Sequence, residues 1–276
     1  MTSMTIANLQ ARLQNGETIA YYRQGEKKAP GDSVIVLLHG YCGSSSYWEK
    51  VLPYIMEIGE VIVPDLRGHG SSTAPKAGVY EMTDMADDLA MLLETLGEKQ
   101  AVVVGHSLGG YVTLAFAEKY ASKLRALGLV HSTALPDAEA AKANRNRAAE
   151  TIDTEGIGAF VEGLVPKLFA PAHAETMKAM IEEAKAIGRG TAPEAAIAAA
   201  MGMKARPDRS DVLRNAALPV LLVAGQADGV VPQERTLVEQ AGPAARKALI
   251  ENCGHMSMYE QPERLAAELS AWVATI

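Results

Sequence analysis

Gln100-Ala-Val-Val-Val-Gly105-His-Ser107-Leu-Gly-Gly110 is the stretch that decides the fold of this 276-residue chain. An apolar β-branched run, Val102 to Val104, enters a Gly-x-Ser-x-Gly pentapeptide from Gly105 to Gly109, and a helical pattern, Tyr111 to Tyr120, follows directly. A serine in a tight turn between a buried strand and a helix has strained backbone dihedrals. Glycines two before and two after leave room for neighbouring chain, so the hydroxyl stands clear of the sheet. The helix N-terminus behind it offers free N–H groups and a positive dipole end to an oxyanion. A serine that merely caps a helix would read the same over so few residues, so the surrounding chain has to decide.

Outward from this turn, continuous apolar runs recur at Val34 to Leu38, Val61 to Pro64, Ala101 to Val104, Leu127 to Val130 and Val220 to Ala224, with a weaker one at Ala248 to Ile250. Such runs are expected of strands buried on both faces. Helical patterns separate them. Met85, Leu89, Leu92, Leu93 and Leu96 keep helical spacing, with Thr83 as the expected N-cap and Gly97 as the stop, and Leu265, Leu269 and Trp272 follow Pro262. The first 25 residues alternate weakly around Asn15-Gly16 and read as an antiparallel hairpin, and Pro30-Gly31-Asp32 reads as the turn into the first buried run. The expected architecture is α/β: a mostly parallel central sheet with an N-terminal antiparallel hairpin and helices on both faces.

The stretch from Leu135 to Arg206 breaks this rhythm. It has no strand-like run, is rich in Ala, Glu, Lys and Met, and carries stops at Pro166, Pro171, Gly188 to Gly190 and Pro193. Several short helices are expected, inserted between two strands as a cap over the strand ends, where open α/β sheets bind ligands. The domain expectation is a core of residues 1–134 and 207–276 with a helical cap insertion at 135–206.

A nucleophilic Ser107 needs a base, a group that orients the base, and oxyanion donors. Of the six histidines, His255 lies in a Gly-bearing loop between the last weak strand and the last helix, from which an imidazole can reach a serine distant in sequence. Asp228 follows the run Val220 to Ala224 and sits at the same sheet edge as Ser107, with Asp137 as the fallback acid. The chain order Ser, Asp, His is the one expected on such a fold. The N–H groups of Leu108 and Tyr41 are the expected oxyanion donors, and His131 and Met256 are candidates to line the pocket. Neither His-Glu-x-x-His nor Cys-x-x-Cys occurs, and no phosphate or dinucleotide fingerprint is present, so no metal and no cofactor are expected.

Together, His39-Gly40, Asp65-Leu-Arg-Gly-His-Gly70, the Ser107 pentapeptide, Asp228 followed by Val-Val-Pro232, and Gly254-His255 followed by Glu260-Gln-Pro resemble a capped α/β-hydrolase-fold protein over essentially the whole length. The resemblance implies a Ser-His-Asp machine working through an acyl-enzyme. Serine at the turn, rather than aspartate, argues against the haloalkane dehalogenase and epoxide hydrolase branches. A serine hydrolase of the esterase type, cleaving a carboxylic ester of a small to medium apolar substrate, is the leading expectation. Met177, Met180, Met201 and Met203 are expected to give the cap adaptable apolar surface that disfavours charged substrates. Other chemistries on this fold are carbon–carbon bond hydrolysis, thioester hydrolysis and cofactor-free haloperoxidase or perhydrolase activity. From a different class, the same fold also serves as a small-molecule receptor without turnover.

Composition narrows the partners. A net charge of -7 disfavours nucleic acid and anionic membrane and favours solubility. No run approaches the roughly 18 apolar residues of a spanning helix, so no membrane insertion is expected. The start has no signal-peptide pattern, and a cytoplasmic location is the expectation. Two cysteines, Cys42 and Cys253, are too few for a disulfide framework. A small ester-like molecule is the expected partner; the sequence does not specify an oligomeric state.

Overall fold

The computed structural model describes residues 5–27, 33–239, 241–242 and 245–276. The expected turn at Pro30-Gly31-Asp32 lies outside the described residues. Eight strands form one sheet: β1 (Leu9–Arg12), β2 (Thr18–Gln24), β3 (Val34–Leu38), β4 (Val61–Pro64), β5 (Ala101–His106), β6 (Leu124–Val130), β7 (Val220–Gly225) and β8 (Ala245–Ile250). Their order is β1-β2-β4-β3-β5-β6-β7-β8. β1 and β2 form an antiparallel hairpin, and β2 pairs antiparallel with β4. The remaining pairs are parallel. At the hairpin turn Gly16 takes φ 87°, as the Asn15-Gly16 signal requires.

The apolar runs become central strands because both faces are covered. Val34, Val36 and Leu38 point into one core with Val103, Leu127 and Leu129, alongside the helices Met82–Thr95 and Leu108–Lys119. Ile35 and Leu37 point into the other with Val102, Val104, Trp48 and Trp272, alongside Pro262–Val273. The two-residue period thus sorts each strand between two cores, each buried side chain of Val or Leu size contributing about 1.5–3 kcal/mol.

One local expectation differs. The helix Met82–Thr95 is capped by Glu81, not Thr83: Glu81 is extended, and its side chain and that of Asp84 bond reciprocally to each other's backbone N–H. Thr83 lies inside the first turn because the reciprocal box satisfies two N–H groups, which a lone threonine cannot do. Gly97 ends the helix with φ 74°.

Between β6 and β7 lie the helices Glu139–Leu164, Lys178–Arg189, Pro193–Ala205 and Ser210–Arg214, with tight turns at Val165–Leu168 and Pro171–His173. The first is longer than the short helices expected, because neither Gly nor Pro occurs from 139 to 155. It breaks at Gly156, where φ 87° and ψ 164° leave the helical region. Among the described residues no helix is long and apolar enough to cross a membrane.

The topology chooses where a site can lie. After β3 the chain first adds β4 on one side and then returns to add β5 on the other. This reversal opens a crevice at the carboxyl ends of β3 and β5, where His39-Gly40 and Ser107 follow their strands. The loops there are tied by buried polar groups. His39 Nε2 accepts the N–H of Leu66 at 2.9 Å while Nδ1 donates to the carbonyl of Gly40 at 2.8 Å. The Asp65 carboxylate accepts the N–H groups of Ser45 and Ser71 and the hydroxyl of Thr5. Gly70 is obligatory beside it, since an added Cβ would lie 2.1 Å from Asp65 Oδ2.

Two predictions follow from these buried groups. Burial lowers His39 to about 4 against the push of its Gly40 bond, and burial together with the His39 ring lowers His69 to about 3. Both folded values lie below the ordinary imidazole value, so the unfolded chain takes up protons first as pH falls. Stability present above about pH 6.5 is therefore lost progressively toward pH 4. The urea midpoint should drop between about pH 7 and pH 5 with an unchanged slope; a midpoint constant over that range overturns this reading. Cys42 and Cys253 are free and buried, with the Cys42 thiol pushed up to about 12 by burial and the Cys253 thiol also raised by burial. Thiol titration should find two slow-reacting groups in native protein and two fast ones after denaturation; a rapidly labelled native thiol would contradict the burial.

Candidate active site

Ser107 sits between β5 and the helix Leu108–Lys119 with φ 50° and ψ -112°, a conformation uncommon for any residue but glycine. The sequence pays for that strain with close backbone contacts on both sides. An added Cβ at Gly105 would lie 2.1 Å from the carbonyl oxygen of Gly109, and one at Gly109 would lie 2.5 Å from that of Leu38. The Ser107 N–H donates to the Val130 carbonyl at 3.0 Å, and its own carbonyl accepts the Gly110 N–H at 2.9 Å and the Ser132 hydroxyl at 2.8 Å. Each side of the turn is thereby anchored, which holds the serine side chain at the strand's end.

Asp228 and His255 arrive from the loops after β7 and β8. These loops are bonded to each other, with the Ala227 N–H donating to the Cys253 carbonyl at 2.8 Å. Asp228 Oδ2 lies 2.8 Å from His255 Nδ1, and Oδ1 accepts the N–H groups of Val230 and Val231 at 2.8 and 2.9 Å. Burial works against the charge of Asp228, but the imidazoles of His255 and His131 and their hydrogen bonds outweigh it and hold the carboxyl well below the usual carboxylate range. A charged Asp228 fixes the His255 proton on Nδ1 and leaves Nε2 as an acceptor. Ser107 and His255 line the same cavity. Among the described residues the Ser107 hydroxyl has no hydrogen-bond partner, which leaves it available; such contacts commonly tighten only when substrate is seated.

The two expected oxyanion donors flank this serine. Leu108 opens the helix, so its N–H is among the first-turn donors that no carbonyl within the helix satisfies. The Gly40–Tyr41 segment lies against the turn: a Cβ on Gly40 would lie 2.6 Å from His106 Nδ1 and 3.4 Å from Ser107 Cβ. The Tyr41 side chain is directed away into the helical insertion, its hydroxyl donating to the Ala196 carbonyl at 2.9 Å.

Other expected residues stand elsewhere. His131 does not line the cavity; it is fully buried behind the acid, with Nδ1 3.2 Å from Asp228 Oδ2 and Nε2 accepting from the Ser257 hydroxyl at 2.8 Å. Burial lowers its pKa despite Asp228, so it is a neutral donor to the same carboxylate oxygen as His255. The donor atoms of His131, Asp228 and His255 lie within 4.8 Å of one another, a spacing that could also suit a metal ion, and hydrogen bonds between them already account for it. Met256 is buried in the second core, since the backbone that aims His255 at the cavity turns its neighbour inward. Asp137 is paired with Arg206 at 2.7 Å and Arg145 at 3.1 Å, and the acid position beside His255 is filled by Asp228.

Glu260 carries a role that the sequence reading left unassigned. Its side chain is fully buried and accepts the N–H groups of Ala170, Gly254 and Met256 at 2.8, 3.0 and 3.1 Å, and His173 Nδ1 at 2.8 Å. This carboxylate clamps the backbone on both sides of His255. The His255 N–H itself donates to the Leu168 carbonyl at 2.7 Å, and its carbonyl accepts from His106 Nε2 at 2.9 Å. No local signal distinguishes Glu260 beyond its five-residue distance from His255.

The cavity beside Ser107 has a volume of about 190 Å³. Tyr111, Leu164, Leu168, Met203 and Val231 give it apolar wall. Met203 is the methionine of the insertion that reaches it; Met177 and Met180 pack against the second core and Met201 against the first. The wall also holds Arg145, Arg206 and Arg235 with Asp137, which the apolar expectation did not include.

The chain matches the alpha/beta hydrolase fold family over residues 33–262. It is 32% identical over 205 residues to a 2-(acetamidomethylene)succinate hydrolase of Mesorhizobium japonicum, covering 72% of each chain. It is also 32% identical over 213 residues to a putative carbamate hydrolase of Variovorax paradoxus, covering 75% of this chain and 79% of that one. Among solved structures, a thermophilic esterase from Thermogutta terrifontis with malate bound superposes with a TM-score of 0.89 at 33% identity, covering 97% of this chain and 98% of that one. With its eight-stranded sheet and its serine at the β5 turn, the chain belongs to the α/β-hydrolase fold family and is a hydrolase.

Proposed function

We propose that this hydrolase cleaves carboxylic esters of small to medium substrates through Ser107, His255 and Asp228. The observation that carries the reading is the 2.8 Å bond from His255 Nδ1 to a buried, ionised Asp228, with His255 and Ser107 on one cavity wall. In this mechanism His255 Nε2 takes the Ser107 proton as Oγ attacks the ester carbonyl carbon. The tetrahedral oxyanion is held by the N–H groups of Leu108 and Tyr41. Asp228 keeps the imidazole in the right tautomer and stabilises the imidazolium, which then protonates the departing alcohol. Water, deprotonated by His255, repeats the sequence on the acyl-enzyme and releases the acid.

The segment 135–206 acts in this proposal as a cap. Ala141, Arg145, Leu164, Leu168 and Met203 bring its surface to the cavity, and a wider opening shares Tyr41, Arg145, Leu164 and Val230 with it. The 190 Å³ volume favours acyl groups of a few carbons over long chains.

Ser107→Ala should lower turnover of a 4-nitrophenyl ester by on the order of 10⁶. It should also abolish labelling by a fluorophosphonate. A variant that still labels and turns over within tenfold of the parent refutes the assignment. Asp228→Asn should cost roughly 10⁴ in kcat, because an amide favours the wrong imidazole tautomer. Asp137→Asn should cost far less in kcat and act mainly on stability, since it strips the buried Arg206 of its carboxylate. Comparing kcat and melting temperature for the two variants checks this, and the reverse ranking in kcat would transfer the acid role to Asp137.

A further inference from the structure

Three guanidinium groups, from Arg145, Arg206 and Arg235, share the cavity wall with one carboxylate, Asp137, in a chain whose net charge is -7. Their bonding differs. Arg206 is an internal strut: its Nη1 reaches Asp137 at 2.7 Å and the Met203 carbonyl at 2.8 Å, its Nη2 reaches the Leu135 carbonyl at 3.1 Å, and its Cζ lies 3.8 Å from the centre of the Tyr111 ring. Arg145 gives only Nε to Asp137, at 3.1 Å. Arg235 gives one Nη to the Pro136 carbonyl at 3.1 Å, and among the described residues it has no carboxylate partner. Asp137 is thus neutralised within its own pairs, while among the described residues Arg145 and Arg235 keep N–H donors without a hydrogen-bond partner.

An arginine without a carboxylate in a confined, partly apolar cavity is poorly solvated there, and a planar guanidinium fork matches a carboxylate. Arg235 follows Pro232 in the segment that leaves Asp228, and Arg145 lies on the helix Glu139–Leu164. The two therefore face the cavity from the core and from the insertion. Arg145 also borders the wider opening, where a cation attracts an anion on its way in.

Resting on the serine-hydrolase reading above, we propose that the substrate carries a free carboxylate besides its scissile ester, and that Arg145 and Arg235 receive it while Ser107 attacks the ester carbonyl. The acid-bearing ester spans the cavity with its anionic end at the two guanidiniums. Arg206 and Asp137 act on it only by positioning the Arg145 side chain and the wall.

The test pairs two esters of equal acyl length, 4-nitrophenyl valerate and mono-4-nitrophenyl glutarate, each corrected for spontaneous hydrolysis. The glutarate ester should have the higher kcat/KM, and Arg145→Gln and Arg235→Gln should each lower the glutarate-to-valerate ratio by about tenfold or more. Arg235→Lys should restore part of that ratio, and Lys178→Gln, an exposed cation outside the cavity, should leave it unchanged. Glutarate titrated calorimetrically into Ser107→Ala protein reads the same site without turnover, and its affinity should fall in the double variants that also lack either arginine. A ratio at or below one that neither arginine variant changes, together with no glutarate binding, overturns the carboxylate site even if valerate is turned over. Glutarate binding that depends on both arginines, with neither ester cleaved and Ser107 unlabelled, would instead keep this site and remove the hydrolase mechanism.

Discussion

Backbone against backbone is the constraint from which the rest of this structure follows. The turn at Ser107 exists only because the chain at Gly105 and Gly109 approaches neighbouring backbone more closely than any side chain allows. Those contacts bring the start of the helix Leu108–Lys119 down onto the end of β3, and they force the serine into a positive φ. The strain is local, and it is held by two cores that cover both faces of the sheet. A hydroxyl fixed in this way loses little freedom when a substrate arrives, which is where positioning by a rigid scaffold differs from positioning by a mobile loop.

His255 and Asp228, the proposed base and acid, have no such scaffold beneath them. They sit on loops, and buried charge substitutes for strand pairing there. Asp228 is held by two N–H groups and two imidazoles, and Glu260 by three N–H groups and a third imidazole. A buried carboxylate is costly unless its lone pairs are met, and meeting them specifies the loop's geometry. His131 belongs to this arrangement: by sharing Asp228 Oδ2 it restricts how that carboxylate can turn, and hence where the His255 ring points.

The sequence was most legible where one local pattern carries one physical meaning. The double-faced apolar runs located β3 to within a residue, and the glycine spacing around Ser107 marked the turn, because both reflect packing among neighbours in the chain. Chain order and loop position pointed to Asp228 and His255, which the fold brings to 2.8 Å. Thr83 was misread as a cap because a glutamate can cap only with help from Asp84, a reciprocal effect outside a single-residue preference. Met177, Met180 and Met201 were misread, while Met203 was not, because helical spacing does not say which face meets the cavity. The roles of Glu260, His131 and the three arginines were not legible at all: apart from the bond of Arg145 to nearby Asp137, they depend on partners 69 to 126 residues away that only the fold makes neighbours, and a charged residue on a helix looks the same whether it faces solvent or a cleft.

The helical insertion supplies its share of the cavity wall from one continuous stretch, whereas Ser107, Asp228 and His255 come from three separate connections. Such a layout invites exchange of whole segments between relatives as a route to new selectivity. The bonds from Leu168 to His255 and from Ala170 to Glu260 set the limit of that exchange. A donor segment ending before residue 165 would replace wall alone. One extending past 170 would also replace the carbonyl and the N–H on which the histidine loop rests, and it would shift His255 along with the lining. The seam between what can vary freely and what cannot therefore runs through the insertion itself, not along its border with the sheet.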